Sequence, residues 1–118
     1  MEILIVRKSV DPETLLALAN TWHKTFVKGV ADIRRGLVAL GGEWHKDAQK
    51  CLLEEGSQPK DLWGFSIYPK KKGDAAIDYG SLINIRPKEG NRDRDISSEE
   101  TRRAVRKLAA LSIPSLDL

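Results

Sequence analysis

The chain has 118 residues, a length that suits one domain because domains typically hold about 100 to 150 residues. Hydrophobic residues make up 41% of the chain and charged residues 31%, a balance typical of a globular protein rather than a disordered one. The net charge of +3, from 20 basic and 17 acidic side chains, is too balanced to indicate nucleic-acid binding by itself.

The first third of the chain predicts a strand, a helix and two further strands. The short apolar run from Ile3 to Val6 indicates a buried strand. Asp11 precedes Pro12 as a helix start, and apolar residues at helical spacing predict a helix from Pro12 to about Phe26. Gly36 favours a tight turn between strands around residues 30–33 and 37–40. A helix continuing to Leu40 is the alternative, which glycine disfavours.

The remainder predicts a helix, a strand hairpin, a loop and a last helix. The helix begins at Lys46 and ends at Gly56, where glycine is a natural terminator. Strands are expected at residues 62–68 and 77–85, with a polar loop over residues 87–96. The last helix begins after Ser98 and runs to about Leu111. The predicted class is therefore α+β, in the order β-α-β-β-α-β-β-α within one domain, residues 1–118. We expect a mostly antiparallel sheet of about five strands with three helices on one face.

Cysteine usage and apolar runs exclude further classes of protein. Cys51 is the single cysteine, so neither an internal disulfide nor a cysteine-rich zinc site can form. No apolar stretch approaches the roughly 18 residues that a membrane span needs. We therefore expect no membrane association, a cytoplasmic location and no cofactor.

A first candidate site lies where a strand meets the second helix. His45 titrates near neutral pH and could act as a base, while Asp47 could orient it or share a metal ion. Asp61 could join them if the fold brings the two ends of the helix region together. These residues suggest a His/Asp or metal-assisted hydrolase. The structural alternative is that Asp47 favours the start of the helix through its charge and His45 is only partly exposed.

A second candidate site is the polar segment that precedes the last helix. Arginine guanidinium groups suit carboxylate or phosphate, and a glycine allows close approach of the backbone to a ligand. The structural alternative is a solvated turn, an interpretation that we apply to Lys88, Asp93 and Arg94. Trp63, beside Gly64 in a predicted strand, could line the same pocket. The predicted ligand-binding residues are Trp63, Asn84, Arg86, Gly90, Asn91 and Arg92.

Basic side chains also cluster on the last helix, at residues 102–107, and at residues 70–72. No exposed aromatic pattern or nucleic-acid motif accompanies them, so a solvated face is the favoured interpretation. We therefore do not expect nucleic acid to be a partner.

A combination of short motifs runs through most of the chain, at residues 27–30 with 32–33, 39–43 with 45, 47 and 48, 56–57, 61–64, 67–69, 81–87 and 90–92. In these segments the chain resembles a family of small bacterial and archaeal proteins of unknown function. The resemblance covers most of the chain from Val27 onward and implies no particular activity. Trp44 and Ser66 depart from the family pattern, in which leucine and asparagine are more usual.

Three hypotheses of function remain open at this point. The leading hypothesis is a domain that binds a small anionic ligand through the segment from Asn84 to Arg92. The second is the hydrolase centred on His45, Asp47 and Asp61. The third is a protein-interaction or regulatory module, which includes self-association into a homo-oligomer through a sheet edge or an apolar helix face.

Overall fold

A computed structural model describes residues 3–118. They form a five-stranded antiparallel sheet with the spatial order β1-β3-β2-β4-β5, together with three α-helices. The predicted α+β class and, approximately, the predicted order of elements are confirmed. The strands are β1 (Leu4–Val6), β2 (Val27–Asp32), β3 (Leu37–Leu40), β4 (Leu62–Ile67) and β5 (Ile77–Asp78), and the helices are α1 (Pro12–Trp22), α2 (His45–Glu54) and α3 (Glu99–Ser112).

Hydrophobic layers cover both faces of the sheet. Val30 pairs with Ala39 across β2 and β3, and both side chains pack with Leu52 of α2. The neighbouring pair, Ala31 and Val38, belongs to the larger core that α1 and α3 cover. Successive residues of a strand point to opposite faces, so these central strands are buried on both sides. The expectation that all three helices lie on one face is therefore wrong, since α2 occupies the second face.

The turn between β2 and β3 forms as predicted. Gly36 has a φ of +72°, a left-handed conformation that glycine adopts without steric cost. One oxygen of the buried Asp32 carboxylate accepts hydrogen bonds from the backbone N–H groups of Arg34 and Arg35. The other oxygen accepts from the hydroxyl of Ser57 at 2.6 Å. Asp32 thereby fixes the turn and ties it to the segment that follows α2.

The first helix is shorter than predicted, because it ends at Trp22 rather than near Phe26. Lys24 adopts a φ of +70°, which a right-handed helix cannot continue through. The ring of His23 stacks on Phe26 at 4.6 Å between centroids, and its Nε2 bonds to the carbonyl of Glu43. The apolar character of Phe26 therefore reflects packing beyond the helix.

The fifth strand is also shorter than predicted, since it covers only Ile77–Asp78 instead of residues 77–85. The hydroxyl of Ser81 accepts from the backbone N–H of Ile83, and a single 3-10 turn follows over Leu82–Asn84. A serine oxygen that caps a turn competes with the hydrogen bonds of a strand ladder. Within residues 3–118, no helix has the length and apolar character needed to cross a membrane.

Candidate functional site

The side-chain amide of Asn84, a predicted ligand-binding residue, hydrogen-bonds to the backbone of the protein itself. It is fully buried. Its Oδ1 accepts from the N–H of Gly64 at 2.8 Å, and its Nδ2 donates to the Gly64 carbonyl at 3.0 Å. The same Nδ2 lies 3.1 Å from the carbonyl oxygens of Tyr79 and Arg94. The amide thus replaces a strand partner for β4, because β5 has already ended at this level of the sheet.

The side-chain amide of Asn91 also hydrogen-bonds to the backbone, further along the same segment. Its Nδ2 lies within 3.0 Å of the carbonyl oxygens of Asn84, Asp93 and Asp95. Its Oδ1 accepts from the backbone N–H and the hydroxyl of Ser97. Both the donors and the acceptor of this buried amide are therefore satisfied within the chain.

The guanidinium group of Arg86 also hydrogen-bonds to backbone carbonyls rather than to solvent. Its guanidinium group donates to the carbonyl oxygens of Ile83, Lys60 and Leu62, the first two at 3.3 and 3.0 Å. It lies 3.9 Å above the ring of Trp63, and its side chain is only 11% exposed. We call Asn84, Arg86 and Asn91 the clamp, because all three fasten separate backbone segments together.

The remaining two members of the predicted loop are exposed. Gly90 has a φ of +90° and ends the short 3-10 turn Pro87–Glu89, and a backbone bridge between Arg86 and Asn91 closes the turn. Arg92 follows on the surface. The segment expected to be an open loop is therefore a small hairpin-like structure that the clamp holds against β4.

His45, the first residue of α2, is buried among basic groups. Its Nε2 donates a hydrogen bond to the carbonyl oxygen of Phe65 at 2.7 Å. Burial, with added repulsion from Lys28 and Arg94, lowers the pKa of His45 from 6.5 to about 4, although the Phe65 bond and Asp78 oppose the shift. The ring is therefore neutral at pH 7, and Nδ1 is its acceptor nitrogen because Nε2 carries the proton.

The two carboxylates that were grouped with His45 make separate contacts. Asp47 accepts from the backbone N–H of Trp44 at 3.0 Å, which stabilises the start of α2. Asp61 bonds to the Nε of Arg34 at 2.9 Å and to Lys60 at 3.2 Å. Burial acts to raise the pKa of Asp61, but these two bonds outweigh it and the pKa is lowered. The structure shows no contact that joins the three predicted catalytic residues into one constellation among residues 3–118.

A cavity of about 400 Å³ opens at the N-terminus of α2. It lies between that helix end and the turn that follows β5, so His45 lines it, whereas none of the six predicted ligand-binding residues does. The basic side chains in its wall are Lys28, Lys46 and Arg94. We call it the basic cavity, and its full lining is Lys28, Trp44, His45, Lys46, Ser81, Leu82, Ile83 and Arg94.

The charged side chains that line the basic cavity are all basic. None of the eight described lining residues is acidic. Within residues 3–118, no ion pair involves Lys28, Lys46 or Arg94. The start of α2 adds backbone N–H groups and the positive end of the helix dipole to the same region. The arrangement therefore favours a negatively charged group.

Sequence reasoning missed most of the cavity wall. Lys28 and Lys46 were not among the predicted site residues, and Arg94 was interpreted as an ordinary solvated charge. An antiparallel bridge between Gly80 and Asp95 brings Arg94 beside Ser81, whose N–H donates to the Arg94 carbonyl at 3.1 Å. The alternation of residues in β2 could have indicated Lys28, because it shares a face with Val30, which packs against α2.

The described residues offer little to a metal ion. Among residues 3–118, no group of three or more histidine, cysteine, aspartate or glutamate side chains is arranged to hold one. Cys51 is free, and partial burial together with Glu54 raises the pKa of its thiol. Among residues 3–118, His45, Asp47 and Asp61 therefore belong to no cluster of metal-binding side chains.

Comparison with known proteins places the chain in a family. The model of the family described as Protein of unknown function (DUF5674) matches residues 4–111. The chain belongs to this family. The match spans β1 to the last turn of α3 and includes both the clamp and the basic cavity. No curated protein and no solved structure is detectably similar to the chain.

Proposed function

We propose that this protein binds a small anionic ligand in the basic cavity. The observation that carries the proposal is the convergence of Lys28, Lys46 and Arg94 on one cavity at the N-terminus of α2. Cavities of about 300 to 1,000 Å³ with a few convergent polar groups are typical of small-ligand sites. The volume of about 400 Å³ lies at the lower end of that range.

Three cations that share a cavity repel one another, so their arrangement costs free energy in the empty protein. The effect is visible on His45, because Lys28 and Arg94 both act to lower the pKa of its ring. A bound anion would offset this repulsion and would accept hydrogen bonds from the lysine and arginine N–H groups. The same cost supports a binding role, since a solely structural wall gains nothing from clustered like charge.

In this proposal the predicted ligand-binding loop shapes the site without touching the ligand. Asn84 and Arg86 hold the turn of Leu82–Asn84 against β4, and that turn supplies Leu82 and Ile83 to the cavity wall. The clamp therefore positions one wall of the basic cavity. Arg94, two residues beyond the predicted binding residues, is expected to contact the anion together with Lys28 and Lys46.

Binding is favoured over hydrolysis by the state of His45. A ring with a pKa of about 4 is a weak base at neutral pH, because an efficient general base has a pKa near the working pH. Its Nε2 is held by Phe65, while Asp47 and Asp61 are bonded elsewhere. Self-association through an edge strand stays a prediction that measurement of the mass in solution would test.

The test uses the full chain and inorganic phosphate as the probe, with binding followed by calorimetry at low salt. Lys46→Ala and Arg94→Ala should each weaken phosphate binding about 10-fold, the usual consequence of losing one charged hydrogen bond. Lys107→Ala is the matched control, because Lys107 is exposed on α3, away from the cavity. Circular dichroism should show the same helix content for all variants.

Two results would contradict the proposal. One is the absence of measurable phosphate binding by the unaltered chain at low salt, where screening of charge is weakest. The other is an equal loss of affinity in Lys107→Ala and Arg94→Ala, which would indicate general charge attraction. A loss confined to the cavity variants would support the site.

A further inference from the structure

We infer that the anionic ligand is a nucleoside monophosphate whose base stacks on the indole of Trp44. The inference rests on the anion-binding function proposed above and adds the chemical class of the ligand. It depends on three features of the basic cavity: an exposed tryptophan in an unusual position, a hydrogen-bond acceptor among cations, and an apolar wall opposite the helix end.

Trp44 occupies the N-cap position of α2, but its side chain makes no capping hydrogen bond there. N-cap residues are usually serine, threonine, aspartate or asparagine, because their side-chain oxygens accept from free N–H groups of the first turn. An indole has only a donor, and Trp44 makes no capping bond with its side chain. Asp47 supports the helix start instead, by accepting from the Trp44 N–H.

The ring of Trp44 is available to a ligand. Trp44 is 51% exposed and lines the cavity, whereas Trp63 is buried under Arg86. The Nζ of Lys28 lies over one face of the Trp44 ring, 5.1 Å from its centroid, so a base would stack on the other face with this cation nearby. A nucleotide matches this pairing, because every base has a π face and its phosphate lies a sugar's width away.

His45 adds a group that the phosphate of a monoester cannot use. With Nε2 committed to the Phe65 carbonyl, the remaining ring nitrogen of the neutral imidazole is an acceptor. Above its second pKa of about 6, the phosphate group of a monoester offers only acceptors, so that group gains nothing from this nitrogen. The hydroxyl and amino groups of a nucleoside are donors and would complement it. An acceptor nitrogen on a residue that lines a cationic cavity therefore favours a ligand that carries donors as well as negative charge.

The opposite wall is apolar and suits the body of such a ligand. Leu82 is 64% exposed and Ile83 lies beside it, and both line the cavity. Exposed leucine at the rim of a basic cavity has no role for phosphate alone. Burial of its apolar surface by a sugar or base would contribute about 25 cal/mol for each Å² removed from water.

The experiment titrates the full chain with the four common ribonucleoside 5′-monophosphates, the matching nucleosides and ribose 5-phosphate. Binding is followed by calorimetry, and tryptophan fluorescence is a second readout. At least one nucleotide should bind about 10-fold more tightly than both ribose 5-phosphate and its own nucleoside. Trp44→Leu should weaken that nucleotide about 10-fold, in the range that loss of base stacking gives, and leave ribose 5-phosphate unchanged.

Two further variants make the result specific to stacking. Trp44→Phe keeps an aromatic face, so it should recover part of the affinity that Trp44→Leu loses. Leu111→Ala removes an exposed apolar side chain on α3 and should have no effect. Ribose 5-phosphate binding as tightly as every nucleotide would overturn the inference while anion binding stands. Failure of all phosphate-bearing probes, inorganic phosphate included, would overturn both.

Discussion

The clamp and the basic cavity lie at the same short segment, and they use similar polar side chains in opposite ways. Ser81, Leu82 and Ile83 form part of the cavity wall, and Asn84 directly after them is fully buried. In the clamp, amide and guanidinium groups bind backbone carbonyls. In the cavity, ammonium and guanidinium groups have no ion-pair partner among residues 3–118. The difference teaches that polar groups with partners inside the protein hold its structure, whereas we propose that a cluster of like charge without such partners binds a ligand.

His45 belongs to both regions. One ring nitrogen donates to the carbonyl of Phe65 in β4, as a clamp residue would, while the ring itself lines the cavity. Substitutions should therefore separate into two classes. Those in the clamp should lower the free energy of unfolding, and those at the cavity cations should lower affinity with little effect on stability.

Asn84→Ala should have the largest effect on stability, a loss of about 4 kcal/mol. The change leaves the buried N–H and carbonyl of Gly64 without partners, and each unsatisfied buried group costs about 1 to 3 kcal/mol. The carbonyls of Tyr79 and Arg94 keep the N–H groups of Ile96 and Ser81. Urea denaturation measures the loss. Asn20→Ala, on the exposed side of α1, is the control and should change stability by less than about 0.5 kcal/mol. A small effect at Asn84 would remove the basis for the clamp.

Arg86→Lys should come next, with a loss of about 3 kcal/mol. A lysine keeps the charge but cannot reach three carbonyl oxygens from one planar group, nor stack as well on Trp63. Arg92→Lys, at an exposed position, should be neutral. If Arg86→Lys lowers phosphate affinity while leaving the denaturation midpoint unchanged, Arg86 contacts the ligand and the division between clamp and cavity is wrong.

Gly64→Ala should cost about 2 kcal/mol and should also disturb the cavity. A Cβ at this position would lie 2.5 Å from the Cβ of Ser81, so the Ser81–Ile83 wall must shift. Adding Ser81→Gly removes that obstruction. The double variant should be more stable than the sum of the two single changes predicts, a coupling that denaturation of all four proteins measures. Strict additivity would contradict the close approach of β4 to this turn.

The smallest effect concerns pH and His45. Its pKa is about 4 in the folded protein and 6.5 as the ordinary value, so the unfolded chain binds the proton more readily. The neutral state of His45 therefore contributes to the stability of the fold, and this contribution is complete above pH 6.5 and is lost as pH falls towards 4. Between pH 7 and pH 5.5 the loss should be about 1 kcal/mol. Urea denaturation of His45→Gln should lack this part of the pH dependence, and an identical pH profile would refute the depressed pKa.

Local signals in the sequence were sufficient for most elements but not for their ends. The Asp11–Pro12 start and the Gly36 turn were predictable because each depends on neighbours within four residues. The end of α1 was not, since contacts of His23 with Glu43, 20 residues away, replace the helix there. The second face of the sheet was likewise missed, because alternation within a strand does not reveal which helix covers which side.

None of the six predicted ligand-binding residues lines the basic cavity, although His45 of the other candidate site does. The segment from Asn84 onward was correctly identified as rich in polar groups, yet three of its five singled-out residues, Asn84, Arg86 and Asn91, bind backbone. The basic cavity draws on β2, α2 and Arg94, which come together only through the sheet and the Gly80–Asp95 bridge.

The sequence by itself determined the α+β class, the antiparallel hairpin of β2 and β3 and the kinship to a family of unknown function. Only the tertiary structure decided which polar side chains hydrogen-bond within the protein and which line the cavity without such a partner. The physical reason is that a side chain's hydrogen-bond partner is whatever backbone the fold brings beside it. Asn84 and Gly64 are 20 residues apart, and no local pattern encodes that meeting. A clamp and a binding site therefore look alike in sequence and differ only in space.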